Sequence, residues 1–120
     1  MYCLIVDDDS YNLDICGKMV EKLGFAVRTA ESANEALSYC GKVLPDVVLL
    51  DWRMPERDGI DFIHSLKKIP GSEKVKIVMC TAEGQRNRVK EALNNGVQGY
   101  VIKPFDGSQI EKQFQNLELM

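Results

Sequence analysis

The stretch VVLLDWRMPERDG, Val47 to Gly59, runs through four apolar residues and stops on a carboxylate, Asp51. A short unbroken run of Val and Leu reads as a strand covered on both faces, the pattern of a parallel sheet. An acid at the end of such a run is expensive to desolvate, and Ser, Asn or Gly would close the strand at lower cost. The reason for Asp51 has to be sought at the ends of the other strands.

Four further apolar runs recur along the chain: YCLIV (2–6), FAVRT (25–29), KIVMC (76–80) and YVI (100–102). Each is too short for a helix and rich in strand-forming residues. Between them lie segments of helical period, with apolar stripes at Cys16, Met19, Val20, Leu23 and at Ala33, Ala36, Leu37, Cys40. Phe62, Ile63, Leu66 form a third stripe, Val89, Ala92, Leu93 a fourth, and Ile110, Phe114, Leu117 a fifth. Ser32 with Glu35 and Asp106 with Gln109 read as capping boxes, while Gly24 and NNG (94–96) read as helix stops. IPGSEK (69–74) reads as a surface loop. Strict alternation of strand and helix predicts an α/β fold, a five-stranded parallel sheet with right-handed crossovers and helices on both faces. With 120 residues and no linker, residues 1–120 are expected to form a single domain.

Ligands of open α/β sheets bind outside the carboxyl ends of the strands. The first strand runs into Asp7, Asp8 and Asp9, the third into Asp51, the fourth into Thr81, and the fifth into Lys103 and Pro104. A parallel sheet brings all of these to one rim. Thr81 alone reads as a solvated turn residue. Several carboxylates brought together, however, repel and raise one another's pKa, and a hard divalent cation such as Mg²⁺ removes the conflict. Lys103 would then offer a point charge to a phosphoryl oxygen, and Thr81 a hydroxyl. Asp51 becomes a credible carboxylate nucleophile.

At these positions the chain resembles the receiver domain of bacterial two-component response regulators, of the single-domain, chemotaxis-regulator-like kind. The resemblance is carried by Asp7-Asp8, by Asp51 with Met54, Pro55, Asp58 and Gly59, by Thr81-Ala82, and by YVIKPF, Tyr100 to Phe105. It implies a flavodoxin-like fold with strand order 2-1-3-4-5. It implies that Asp51 accepts a phosphoryl group in a Mg²⁺-dependent reaction (Mn²⁺ being a possible substitute), and that the chain is not an enzyme with a separate substrate. Asp8, Asp51 and the backbone carbonyl of Arg53 would ligate the metal, with Asp7 near it or bound through water. Thr81 and Lys103 would contact the phosphoryl group, Tyr100 would be the switch aromatic, and Lys103-Pro104 is the candidate cis peptide. The implied partners are a histidine kinase or histidine phosphotransfer protein and a downstream protein target on the helix 4, strand 5, helix 5 face, in the cytoplasm.

Arg53 and Glu83 flank the acceptor and the threonine, and would tune phosphate lifetime if they pair across the mouth; the alternative is two solvated side chains. Trp52 reads as a shield of the site and, standing beside Asp51, as a fluorescence probe of it. His64 reads as a helix-surface residue, Met54 as loop packing and Met79 as core. Cys3, Cys16, Cys40 and Cys80 match no zinc spacing and read as reduced, buried thiols. A net charge of -3 argues against direct nucleic-acid binding, and no apolar run is long enough to span a bilayer. Met1 stands directly before the first strand without a leader pattern, and the chain stops about one helix after Lys103, so a stand-alone regulator is expected.

Two other classes use similar parts. A haloacid-dehalogenase-type phosphatase needs a second acid two residues after the first, where this chain has Arg53. A flavodoxin-type carrier needs a Ser/Thr/Gly-rich phosphate loop, where this chain has the acidic DDDSYN. A degenerate receiver acting only as a binding module would lack part of the set Asp7, Asp8, Asp51, Thr81 and Lys103.

Overall fold

A computed structural model of the chain describes residues 1–52, 59–82 and 86–120, with the side chains of 86 and 87 excepted. The elements alternate: β1 (Tyr2–Val6), α1 (Ser10–Lys22), β2 (Ala26–Ala30), α2 (Ala33–Lys42), β3 (Val47–Asp51), α3 (Gly59–Lys67), β4 (Lys76–Ala82), α4 (Arg86–Asn94), β5 (Gly99–Lys103) and α5 (Gly107–Asn116). The strands pair in parallel in the order β2-β1-β3-β4-β5. The order reverses direction at β1 and β3, which register Val6 with Leu50 and so bring Asp7 and Asp51 side by side.

Alternation along the strands divides the core in two. Leu4, Val6, Val48, Leu50 and Met79 face one side and pack with Ala36, Phe62, Ile63, Leu66 and Ala92. Cys3, Ile5, Val47, Leu49 and Cys80 face the other, against Leu13, Val20, Ile110 and Phe114. β1 and β3 are buried almost throughout. β2 is an edge strand and mostly exposed apart from Ala30, which is why its sequence was the least apolar of the five.

Local signals mostly land where the sequence put them. Gly24 and Gly96 follow α1 and α4 with φ of 95° and 108°, the left-handed turn that ends a helix. Asp106 and Gln109 form the complete capping box of α5. At α2 the box is half made: Ser32 Oγ accepts from Glu35 N–H at 3.1 Å, but the Glu35 carboxylate accepts from Glu31 N–H at 3.4 Å rather than from Ser32.

Three expectations are corrected. Leu93 is 46% exposed, because the buried side of α4 runs through Ala92 instead. Within IPGSEK, Ser72–Lys74 forms a 3-10 turn and Ser72 is buried, so the segment is not wholly a surface loop. Trp52, 1% exposed, belongs to the core with Leu50 and Phe62. Its neighbour Asp51 lines a cavity with Leu49 on the opposite face, so the indole does not shield the carboxylate. His64 is exposed on α3, and its Nε2 lies 3.4 Å from Asn95 Oδ1.

Candidate functional site

The carboxyl ends of β1, β3 and β5 assemble the site. Asp7 is the residue after β1, Asp51 is the last of β3, and Lys103 the last of β5. Asp7 and Asp51 are buried, at 5% and 8% exposure, and Asp8 is exposed beside them. Ligand-capable oxygens of Asp7, Asp8 and Asp51 all lie within 4.8 Å of one another. Lys103 Nζ lies 3.5 Å from Asp7 Oδ2 and 3.6 Å from Asp51 Oδ2.

Among the described residues one ammonium faces three carboxylates, too few positive charges to balance them. At such separations, a pair of like charges repels by on the order of 3 kcal/mol at an effective dielectric near 20. A cluster left in that condition suits a divalent cation, and carboxylate oxygens are the hard donors Mg²⁺ takes. Lys103 registers the same field. Burial is the largest single influence and works to lower its pKa, but the Asp51 and Asp7 carboxylates with the hydrogen bond to Asp7 together outweigh it, and the net shift is upward. It is held as a cation.

Asp9 does not join the cluster, although the sequence placed a third acid there. Its side chain caps α1, accepting from the N–H groups of Tyr11 at 2.9 Å and Asn12 at 3.4 Å, and its own N–H donates to Asp7 Oδ1 at 2.9 Å. An Asp directly before a helical segment is itself a cap signal, and could have been read as one. This bond also fixes the Asp7 carboxylate at the mouth.

Thr81 is buried, one residue beyond Cys80, the partner of Asp51 in the β3–β4 register. Its hydroxyl donates to the Ala82 carbonyl at 3.4 Å. Tyr100 is 40% exposed on β5. The Lys103-Pro104 peptide is cis. Arg53, with its carbonyl and the pair it would make with Glu83, lies outside the described residues, as do Met54, Pro55 and Asp58.

Beneath the acids, between α1, the sheet and the turn at Pro104 and Phe105 that follows β5, is a cavity of about 460 Å³ that the sequence did not announce. Its walls are mainly apolar, and its polar lining is Asp7, Asp51, Lys103 and Asn12. Cys16 stands in it and is only half-buried, unlike Cys3, Cys40 and Cys80. Burial, reinforced by the Asp7 carboxylate, pushes the Cys16 thiol up to about 11. Thiolate is the reactive form, so about 100-fold less of it is present at neutral pH than for a free thiol of ordinary value. Alkylation of Cys16 by iodoacetamide should therefore be slow at pH 7.5 and rise about tenfold per pH unit toward pH 11. Rapid alkylation at pH 7.5, read by peptide mass, would show that the pocket does not hold the thiol neutral.

Residues 3–115 match the response regulator receiver domain family, and the chain belongs to that family. Among its curated relatives, the chemotaxis protein CheY of Thermotoga maritima is 35% identical, over 89% of this chain and 88% of that protein. Chemotaxis protein CheY-3 of Vibrio cholerae is 32% identical over 98% and 91%. Among solved structures, Vibrio cholerae chemotaxis protein CheY4 superposes with a TM-score of 0.89 at 27% identity, covering 96% of each chain. A response regulator from Chloroflexus aurantiacus, described as putative, gives 0.91 at 28% identity, covering 99% and 98%. Membership makes the chain a receiver domain of CheY-like response regulators, which implies phosphoacceptor signalling. Among the described residues no helix is long and apolar enough to cross a membrane.

Proposed function

We propose that the chain is a signalling switch whose Asp51 takes a phosphoryl group from phosphohistidine on a partner kinase or phosphotransfer protein. The observation that carries this reading is the meeting of Asp7, Asp8 and Asp51 within 4.8 Å, with Lys103 Nζ 3.5–3.6 Å from two of them. Asp8 and Asp51 would hold Mg²⁺, with Asp7 beside it or linked through water and the Arg53 carbonyl completing the protein ligands; the donor set, all hard oxygen, fits. When bound, the ion would neutralise charge on the transferred group and on the acids.

The chain's own residues do the rest. An Asp51 carboxylate oxygen attacks phosphorus, an O–P bond forms as the P–N bond breaks, and the electron pair leaves on the imidazole nitrogen, which takes up a proton. Lys103, cationic and facing Asp51, pairs with the phosphoryl oxygens, and Thr81 turns its hydroxyl from the Ala82 carbonyl toward them. The protein mainly positions the reactants, so no separate substrate is turned over. Tyr100 stands outward in this structure and would pack inward as Thr81 moves, changing the surface of α4, β5 and α5 offered to a target.

The test is intact mass after incubation with a small phosphodonor. One added phosphoryl group is expected with Mg²⁺ and none with a chelator. Absence of any addition in Mg²⁺ would remove the proposal.

A further inference from the structure

The phosphoryl chemistry uses the rim of the site and leaves the cavity below it unused. At about 460 Å³ the cavity is within the size range of small-molecule sites. Its walls come from Ile15, Cys16 and Met19 on one side, Leu49 and Cys80 on the sheet, and Phe105 on the other. These are apolar or weakly polar, and the thiols of Cys16 and Cys80 are held neutral by burial. Charge is confined to one end: Asp7 and Asp51 against Lys103 leave one net negative charge in the lining, and Asp8, within 4.8 Å of both acids, makes it two among the described residues.

We infer that this cavity binds a small amphipathic cation, an apolar body carrying one primary ammonium, with the ammonium among Asp7, Asp8 and Asp51 and the body between α1 and Phe105 in the turn that follows β5. An apolar body alone would fit the walls and make no use of the carboxylates at the mouth; an anionic head would meet the net negative charge of the described residues. The ammonium occupies the same carboxylates as a divalent ion, so the two exclude each other. Reciprocity then makes the ligand an inhibitor of Mg²⁺ binding and hence of phosphoryl uptake. That regulatory consequence rests on the magnesium reading above; the cavity's choice of ligand does not.

The experiment titrates the full chain with n-octylamine, 1-octanol and octanoate, following amide shifts and calorimetry with and without Mg²⁺. Octylamine is expected to bind one per chain, shifting residues of α1 and β3 and Phe105, about tenfold or more tighter than octanol. Saturating Mg²⁺ should weaken octylamine by a similar factor and leave octanol unchanged. Octanoate should be the weakest of the three. Cys16→Phe and Met19→Trp, which fill the cavity from α1, should lose octylamine and keep Mg²⁺-dependent phosphoryl uptake.

Equal or tighter binding of octanoate, octylamine binding indifferent to Mg²⁺, or binding that survives in a folded filled variant would each overturn the inference. If neither variant folds, the three ligands on the wild-type chain decide it. Octylamine competing with Mg²⁺ in a chain that takes no phosphoryl group would keep the cavity and remove the signalling reading. Phosphoryl uptake without octylamine binding would do the reverse.

Discussion

Replacing Asp51 with Asn is expected to abolish phosphoryl uptake completely and, in the absence of Mg²⁺, to make the fold more stable. An amide has no anionic oxygen to attack phosphorus, so intact mass should show no addition under conditions that modify the wild type. The stability gain follows from the same geometry. Asp51 is a buried carboxylate, within 4.8 Å of two others and sharing one lysine with Asp7. Among the described charges, removing that of Asp51 ends two repulsions and loses the attraction to Lys103, which keeps Asp7. Repulsion wins, and a gain of about 1 kcal/mol is expected, as when other strained functional groups are relieved. Urea unfolding in a chelator measures it. Adding Mg²⁺ should stabilise the wild type more than the variant, since the ion binds only the folded cluster. Lys103 should titrate lower in the variant, because Asp51 is the larger of the two carboxylate influences holding its pKa up. A variant that still gains a phosphoryl group would move the acceptor elsewhere. A variant that is less stable in chelator would show that the ion pair outweighs the repulsion.

The second large effect is structural and lies on the other face of the sheet. Gly59 opens α3, and a Cβ there would overlap the six-membered ring of Trp52 at Cε3, Cζ3 and Cδ2. Alanine ordinarily gains about 1 kcal/mol over glycine inside a helix. Here the gain is outweighed. Trp52 is 1% exposed among Leu50 and Phe62, so the ring cannot retreat without moving the core. Overpacking of this kind typically costs about 1–3 kcal/mol, and Gly59→Ala should be destabilised by about 2 kcal/mol, read as a lowered urea midpoint with unchanged slope. Trp52→Phe should relieve part of the loss in the double variant. Phenylalanine is smaller, and among the described residues the indole Nε1 has no hydrogen-bond partner to give up. A Gly59→Ala chain more stable than the wild type would mean that the close approach is not a constraint.

The rim of the site was readable before any coordinates because parallel strands have a single polarity. Once YCLIV, VVLL and YVI were strands of one parallel sheet, their carboxyl ends had to share one edge, and Asp7, Asp8, Asp51 and Lys103 had to share it with them. Local rules also placed the caps at Asp106 and Ser32 and the stops at Gly24 and Gly96, since those depend on neighbours a few residues away. Leu93 shows where local pattern fails: an apolar residue at helical spacing still points out when the helix is rotated by its packing.

What the amino-acid order determined by itself was the alternation of elements, the polarity of the sheet and the gathering of acids at one edge. Those follow from hydrophobic period and chain direction. Tertiary structure alone decided that Trp52 lies across the sheet from Asp51, and that α1, the strand ends and the turn at Pro104 and Phe105 leave a cavity beneath the acids. Each of these depends on how side chains from distant segments fill shared volume, a property that no residue carries in its immediate neighbours.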